Sequence, residues 1–313
     1  MDCIVIGVNN VDFNGYAERQ KVFSNNTGSF EEVLTNSVLV DGRYYTSIDF
    51  LNIILNKIEK GHHWNLDVFR TPSLAVFYLT TFLKRRGFEV GYINSFNNDK
   101  HKFKNYLKKE ITCVAITTTF YVEDTPIIEI INYIREVNED IKIIVGGPRC
   151  LDIYNSYNES KRNVIWNYIG ADCYIIESQG EETLCKLVAA LKKNKNADLS
   201  KIGNIVYKIQ KDYTFTYANK ENNCLDSEII NWDYFKSHDF VPSVYMRTSR
   251  GCCYACTYRT YPVFSGKYVC SDVSTIEKEM DILYSKGVKY ITFIEPSVRV
   301  SQHTASIYDF FWL

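Results

Sequence analysis

The sequence predicts an α/β protein in which an N-terminal, doubly wound parallel sheet precedes the start of a second β/α domain. Short apolar runs rich in β-branched residues alternate with segments of helical periodicity from residue 72 to residue 192. Helices of about 10 to 15 residues between such runs indicate right-handed βαβ units and a parallel sheet. A polar break near residue 196 ends this pattern, and a new strand and helix follow after residue 243.

Each element has its own signal in the sequence. Proline at the first helical turn opens helices at Thr71-Pro72 and Thr125-Pro126, and Gly180-Glu181 opens another. A short helix is expected from about His101 to Lys109, and a small hairpin near residues 205–216. The predicted parallel strands are buried runs: Cys3 to Val8, Glu89 to Ile93, Ile111 to Thr117, Ile141 to Val145 and Ala171 to Ile176.

These elements divide the chain into three parts. Residues 1–195 form the first α/β domain, with an insertion of weak periodicity at about residues 10–70. Residues 196–242 are a hairpin and linker. Residues 243–313 hold a strand, a cysteine loop, a helix and a further strand, which is the start of a β/α barrel and too little to close one. We therefore expect the chain to be shortened at its C-terminal end.

Composition restricts the partners. The 313 residues are 46% hydrophobic and 23% charged, and 36 Lys and Arg against 37 Asp and Glu give a net charge of −1. This balance provides no broad positive field for nucleic acid or a membrane surface. No uncharged apolar run is long enough to span a bilayer, and the N-terminus lacks a basic leader, so we expect a cytoplasmic protein.

The carboxyl ends of the predicted parallel strands form the first candidate site, because ligands of open parallel sheets bind at that edge. Neither a G-x-G-x-x-G fingerprint nor a P-loop lysine is present, which disfavours dinucleotides and nucleoside triphosphates. An ordinary strand-to-helix turn remains an alternative explanation of the double glycine. The candidate ligand-binding residues are Thr117, Thr118, Thr119, Gly146, Gly147, Glu177, Gly180 and Glu181.

Several segments resemble the cobalamin-binding domain of cobalamin-dependent radical S-adenosylmethionine enzymes. They are Pro72 to Gly87, Val114 to Thr119, Ile143 to Pro148, and Gly170 to Asp172 with Gly180-Glu181. The opening residues, from Asp2 to Gly7, are most similar to the phosphinate P-methyltransferase branch. The resemblance implies a Rossmann-like domain in which the threonine loop and the Gly-Gly turn line the corrin. No D-x-H-x-x-G motif is present, so we expect no histidine ligand to cobalt.

The cysteine loop carries the second resemblance. In radical S-adenosylmethionine proteins a C-x3-C-x-aromatic-C loop holds a [4Fe–4S] cluster, whose open iron binds S-adenosylmethionine. Cys252, Cys256 and Tyr258 match that pattern; the cysteines imply cluster ligands and Tyr258 an S-adenosylmethionine contact. Arg259 occupies the third cysteine position, and a guanidinium cannot ligate iron. Cys253 is a further candidate ligand. Half a zinc site and inert buried thiols are the alternatives.

The resemblance implies a methyltransferase. Methyl groups would pass from S-adenosylmethionine via methylcobalamin to an unactivated carbon or phosphorus centre of a small-molecule or peptide-derived substrate. A flavodoxin or ferredoxin would donate electrons. Because Arg259 replaces a cluster cysteine, we expect impaired activity, and a catalytically silent cobalamin-binding module or decayed gene product is the alternative. A plain flavodoxin-like binding domain is a third reading.

Overall fold

The structure is a computed structural model that describes residues 1–9, 17–18, 21, 34–35, 37–61, 63–64, 66, 71–121, 123–252, 254 and 265–294. The chain divides into two compact units. One combines Met1–Val8 with Pro72–Leu313, and the other is Asn9–Thr71. Within the described residues no helix has the length and apolar character needed to cross a membrane.

The larger unit is built on a seven-stranded sheet, whose first five strands in the chain are parallel. The first strand, β1, lies inside the sheet, and the chain winds outward from it in both directions. Numbering all strands in chain order, the sheet order is β4-β1-β5-β6-β7-β8-β9. The strands are β1 Cys3–Val8, β4 Val90–Ser95, β5 Cys113–Thr117, β6 Lys142–Gly146, β7 Cys173–Ile175, β8 Ile205–Ile209 and β9 Asp212–Phe215.

Helices cover both faces of this sheet, which confirms the predicted doubly wound architecture. One face packs against α2 (Leu74–Arg85) and α7 (Glu181–Lys193). The opposite face packs against four helices, which are α3 Lys100–Leu107, α4 Thr125–Val137, α5 Pro148–Ser156 and α6 Glu159–Ile169. A hydrophobic core lies on each face of the sheet, and alternate residues of each strand point into one core or the other. Ile4 and Ile6 point into the first, and Cys3 and Val5 point into the second.

The order of the five parallel strands places a switch point between β1 and β5. Connections from these two strands leave in opposite directions, so the helices diverge beyond their carboxyl ends. This order is that of the flavodoxin-like doubly wound folds, in which a ligand binds at the switch point. The fold therefore positions a site at the edge where the threonine loop and the Gly-Gly turn emerge.

The predicted hairpin extends the main sheet. β8 pairs antiparallel with β7, and β9 pairs antiparallel with β8. Tyr213 on β9 is buried, and its hydroxyl donates to the Ala171 carbonyl at 2.6 Å. The hairpin thus covers the edge of β7, which would otherwise present unpaired backbone groups.

A second β/α element follows in the same unit. β10 (Ser243–Met246) and β13 (Tyr290–Phe293) pair in parallel and are joined through α8 (Val273–Ser285). Between β10 and α8, β11 (Ser249–Arg250) pairs antiparallel with β12 (Val269–Cys270). One parallel β/α unit is therefore present where the sequence predicted the start of a β/α barrel.

Among the described residues of the smaller unit, a hairpin and the helix that follows it are the elements with complete bounds. β2 (Ser37–Val40) pairs antiparallel with β3 (Arg43–Thr46), and α1 (Ser47–Ile58) follows directly. Thr46 caps α1, since its hydroxyl accepts from the Asp49 N–H at 3.2 Å while the Asp49 carboxylate accepts from the Thr46 N–H at 3.3 Å. This reciprocal capping box fixes where the helix begins.

Candidate functional site

A cavity of about 510 Å³ opens at the carboxyl ends of β5, β6 and β7. Its walls come from α2, from the three strand ends, from the start of α7 and from the segment that precedes the cysteine loop. Most of its walls are apolar, including Leu79, Phe120 and Leu184. Among the described residues, no histidine lines it. Two parts of the chain that carried separate sequence motifs therefore meet at one cavity.

The threonine loop contributes to the cavity unevenly. Thr117 and Thr119 line it. Thr118 is fully buried, and its hydroxyl donates to the Gly146 carbonyl at 3.0 Å and accepts from the Arg149 N–H at 3.1 Å. Thr118 therefore joins the β5 loop to the β6 loop; of its neighbours in the cavity wall, Thr119 is exposed and Thr117 is 6% exposed.

The two glycines differ in what they tolerate. Gly147 has φ of 113°, and a Cβ there would lie 2.8 Å from the Thr118 Oγ1, so only glycine fits. Gly146 lies in a strand, and the three atoms nearest to a Cβ there would all belong to Ile175, at 3.4 to 3.9 Å, which is ordinary van der Waals contact. Gly146 therefore forms an open part of the cavity floor, and Gly147 is a requirement of the turn.

A carboxylate of the chain itself occupies the N-terminus of α7, which begins at the predicted site residues Gly180 and Glu181. Glu221 accepts from the Glu182 N–H at 2.9 Å and from the Thr183 N–H at 2.8 Å. It also accepts from the Thr183 hydroxyl at 2.6 Å and from the Asn223 side chain at 3.0 Å. These bonds satisfy two backbone donors in the first turn of the helix and place a negative charge at its N-terminus.

The other predicted residues at this loop lie around the cavity. Glu177 lines it, and its Oε1 accepts from the Ser178 N–H and hydroxyl, both at 3.0 Å. Gly180 adopts the left-handed conformation, with φ of 72°, just before α7. Glu181 lines the cavity but is only 5% exposed and accepts from the Asn223 amide at 2.7 Å.

Arg247 and Tyr78 form a stacked pair in the cavity wall. The Arg247 guanidinium carbon lies 4.3 Å from the centre of the Tyr78 ring. Burial raises the pKa of Tyr78 to about 12, although the neighbouring Arg247 charge acts in the opposite direction. Tyr78 therefore stays neutral and supports the cation through its ring face.

The positive charge of Arg247 acts on two buried carboxyls, those of Glu181 and Glu279. Burial raises the pKa of Glu181 to about 7, and it raises that of Glu279 on α8 to about 7 as well. The Arg247 charge acts against burial in both cases. Glu279 also accepts from the Trp232 indole N–H at 3.0 Å. Both groups therefore exchange protons near neutral pH.

These raised pKa values predict a stability profile. The pKa of the Glu279 carboxyl is about 7 in the folded chain, against a reference value of 4.5. Between these two pH values the folded chain binds more protons than the unfolded chain. The free energy of unfolding therefore falls as pH rises through that window. Glu279→Gln retains an acceptor for Trp232 and removes the titration. Its free energy of unfolding in urea should rise relative to wild type by about 1.4 kcal/mol per pH unit across the window. Glu277→Gln, on an exposed position of the same helix, should run parallel to wild type; a parallel Glu279→Gln curve would refute the assignment.

The start of the cysteine loop is fixed by Arg250 and Gly251. Arg250 donates to the Gln179 side chain, to the Asn223 carbonyl at 2.8 Å and to the Asn222 side chain at 3.2 Å. Gly251 has φ of 83°, and a Cβ there would lie 2.5 Å from the Lys267 carbonyl oxygen, so the turn into Cys252 requires glycine. Cys252 is half-buried. Cys253, Cys256, Tyr258 and Arg259 lie outside the described residues, and their predicted roles remain predictions.

The sequence did not single out four residues of the site, of which Tyr78 and Arg247 line the cavity and Glu221 and Glu279 do not. Tyr78, Glu221, Arg247 and Glu279 lie in an ordinary helix, a linker, a strand end and a second helix, far apart in the chain. None belongs to a spaced motif. Of the four, only Arg247 had a signal in the sequence, because it lies in the segment that leads into the cysteine loop.

Comparisons with known proteins agree with this arrangement. No protein-family profile matches the chain. A curated relative from Methanocaldococcus jannaschii, named "Putative methylthiotransferase", is 26% identical over 263 residues, which cover 82% of this chain and 51% of the relative. The radical S-adenosylmethionine methyltransferase TsrM from Kitasatospora setae, solved with cobalamin and a [4Fe-4S] cluster bound, matches with a TM-score of 0.56 and 17% identity, over 78% of this chain and 48% of that one.

The chain therefore spans about half the length of each of these proteins. The likeness to TsrM confirms the predicted fold. The two proteins together confirm the resemblance to radical S-adenosylmethionine enzymes that the sequence motifs indicated.

Proposed function

We propose that this chain binds cobalamin in the cavity at the carboxyl edge of the sheet and functions as a cobalamin-dependent radical S-adenosylmethionine methyltransferase. The observation that carries the proposal is the composition of that cavity. Tyr245, Arg247 and Arg250, which lead into the cysteine loop, line the same space as the ends of the parallel strands. A corrin held by the strand ends would then lie beside the loop that is expected to hold the cluster.

The residues present fit a corrin. Gly146 leaves open the part of the floor that a larger side chain would fill, and the apolar walls suit the faces of a macrocycle. Thr117 and Thr119 offer hydroxyls, and the Gly146-Gly147 backbone offers peptide groups, for the amides on a corrin rim. When bound, cobalamin supplies a cobalt centre that accepts and donates a methyl group. The chain would position the corrin, exclude water from one face and hold Arg247 near it.

The cluster is a weaker fit than the corrin. Cys252 and Cys256 have the family spacing, but the third position is Arg259, whose permanent charge opposes iron binding. This favours a second candidate function, a cobalamin-binding module without radical chemistry. For the active form we propose a carbon or phosphorus acceptor in a small-molecule or peptide-derived substrate and a flavodoxin or ferredoxin as electron donor.

One reconstitution experiment separates these functions. The full chain is loaded anaerobically with iron and sulfide, mixed with hydroxocobalamin, freed of unbound cofactor and examined by absorbance. Corrin bands together with an iron–sulfur band support the methyltransferase. Corrin bands alone support the silent module. Absence of both contradicts the proposal and leaves a flavodoxin-like binding domain.

A further inference from the structure

The cavity contains a cation that forms no ion pair with another described residue of the chain. Arg247 lines the cavity and stacks on Tyr78 at 4.3 Å. Among the described residues, no carboxylate lies within ion-pair distance of it, in contrast to Arg149, which pairs with Asp124 at 2.9 Å. A guanidinium has five N–H donors, and a hydrogen bond from Arg247 to the Tyr78 hydroxyl leaves the other donors available.

The second arginine of the cavity shows what a satisfied guanidinium looks like here. Arg250 donates to Gln179, Asn222 and Asn223, and so serves to hold the loops together. Arg247 has no comparable set of acceptors, and its contact with Tyr78 fixes the position of the charge without consuming it. Tyr78 therefore holds the Arg247 guanidinium in place and leaves N–H donors of that group available to a ligand.

The acidic groups around Arg247 do not replace a ligand. Glu181 and Glu279 are 5% and 6% exposed and are each held by another partner, the Asn223 amide and the Trp232 indole. Glu177, which also lines the cavity, is bonded to Ser178. Burial favours the neutral form of Glu181 and Glu279 below about pH 7, so the two carboxyls compensate the Arg247 charge least on the acidic side of neutrality.

We propose that Arg247, stacked on Tyr78, is an anion-binding residue, and that the cavity takes a ligand with an apolar body and a carboxylate or phosphate group. Leu79, Phe120 and Leu184 would contact the apolar body. The guanidinium would receive the anion through paired N–H donors, the arrangement that suits both carboxylate and phosphate. This goes beyond the proposed function, because it rests on the cavity and its charges and not on which cofactor the chain binds.

Two fluorescent probes of similar shape test the anion preference. 1-Anilinonaphthalene-8-sulfonate carries an anionic group, and N-phenyl-1-naphthylamine is its uncharged counterpart. Fluorescence titration of the full chain should show tighter binding of the sulfonate. Arg247→Met should weaken sulfonate binding by about 10- to 100-fold, the range of one charge-assisted contact, and leave the neutral probe within about two-fold. Arg247→Lys should restore part of the preference.

The matched control is Arg162→Met. Arg162 lies 4.2 Å over the Tyr154 ring, outside the cavity lining, so its replacement removes the same charge and the same kind of stack. Its probe affinities should equal those of wild type. Equal loss in both arginine variants, or an unchanged sulfonate preference in Arg247→Met, overturns the proposal.

A second pair of ligands identifies the source of the anion. Cyanocobalamin carries a phosphodiester in its nucleotide tail, and dicyanocobinamide lacks it. If Arg247 binds that phosphate, Arg247→Met weakens cyanocobalamin binding alone. If it binds the carboxylate of another molecule, both corrinoids keep their affinity while the sulfonate preference is lost. Failure of both corrinoids to bind wild type would refute the proposed function but leave the probe result as the test of Arg247.

Discussion

Arg259→Cys is expected to raise the iron and acid-labile sulfide content of the anaerobically reconstituted chain from little to about four of each per chain. A site-differentiated [4Fe–4S] cluster requires three thiolates, and the family spacing supplies only Cys252 and Cys256. The substitution adds a thiol in the third position and removes a cation that repels iron. Lys211→Cys, on the exposed turn of the sheet hairpin, controls for iron that binds adventitiously to an added thiol.

The same prediction has a functional readout. The unaltered chain should release little 5′-deoxyadenosine from S-adenosylmethionine under reducing anaerobic conditions, no more than a Cys252→Ala variant. Release well above that control would show that a cluster forms without a cysteine at position 259. Cys253 would then be the third ligand, and the proposed impairment would be wrong.

Glu221→Ala is expected to lower the free energy of unfolding by about 3 kcal/mol, because it leaves buried hydrogen-bond donors without partners. Glu221 is 5% exposed and accepts from two backbone N–H groups at the start of α7. Its own carbonyl also accepts from the Gln179 side chain at 2.7 Å, so the cavity loop is attached to the same residue. Urea unfolding followed by circular dichroism measures the loss.

Glu182→Ala provides the matched control for this substitution. Glu182 lies in the turn of α7 that Glu221 caps, but its carboxylate is half exposed and is 3.7 Å from the Lys186 ammonium group. Exposed pairs of this kind contribute little, so a change below about 0.5 kcal/mol is expected. Equal effects of the two substitutions would show that Glu221 does not cap the helix.

The sheet was predictable because its signals are local. Each parallel strand is a short apolar run, and Pro72 and Pro126 mark helix starts that the structure places at Leu74 and Thr125. The pair of helices between β6 and β7 was missed. Asn158 caps the second of them and Gly170 ends it in the left-handed conformation, so the end signals were present. The apolar residues of α6 form only a weakly amphipathic pattern, so the sequence between these two end signals did not predict a helix.

The cavity was only partly predictable, for a different reason. The strand-end residues Thr117 and Gly146 follow from the rule that parallel sheets bind ligands at their carboxyl edge. Glu221 and Arg247 enter the site through tertiary contacts across long stretches of chain, and no spacing in the sequence records such contacts. The N-terminus of α7, next to the predicted residues Gly180 and Glu181, is capped by Glu221, a linker residue whose partner only the fold reveals.

Hydroxocobalamin titration of wild type and Gly146→Val tests most directly that the cavity is the corrinoid site. A valine at this position suits a strand and would extend into the cavity past Ile175. Ile143→Val, on the opposite face of the same strand, is the control. We predict saturable binding of about one corrinoid per chain by wild type and Ile143→Val, and at least about ten-fold weaker binding by Gly146→Val, with unfolding free energies showing that the variant is folded. Absence of binding to wild type, or equal affinity of a folded Gly146→Val chain, would contradict the site.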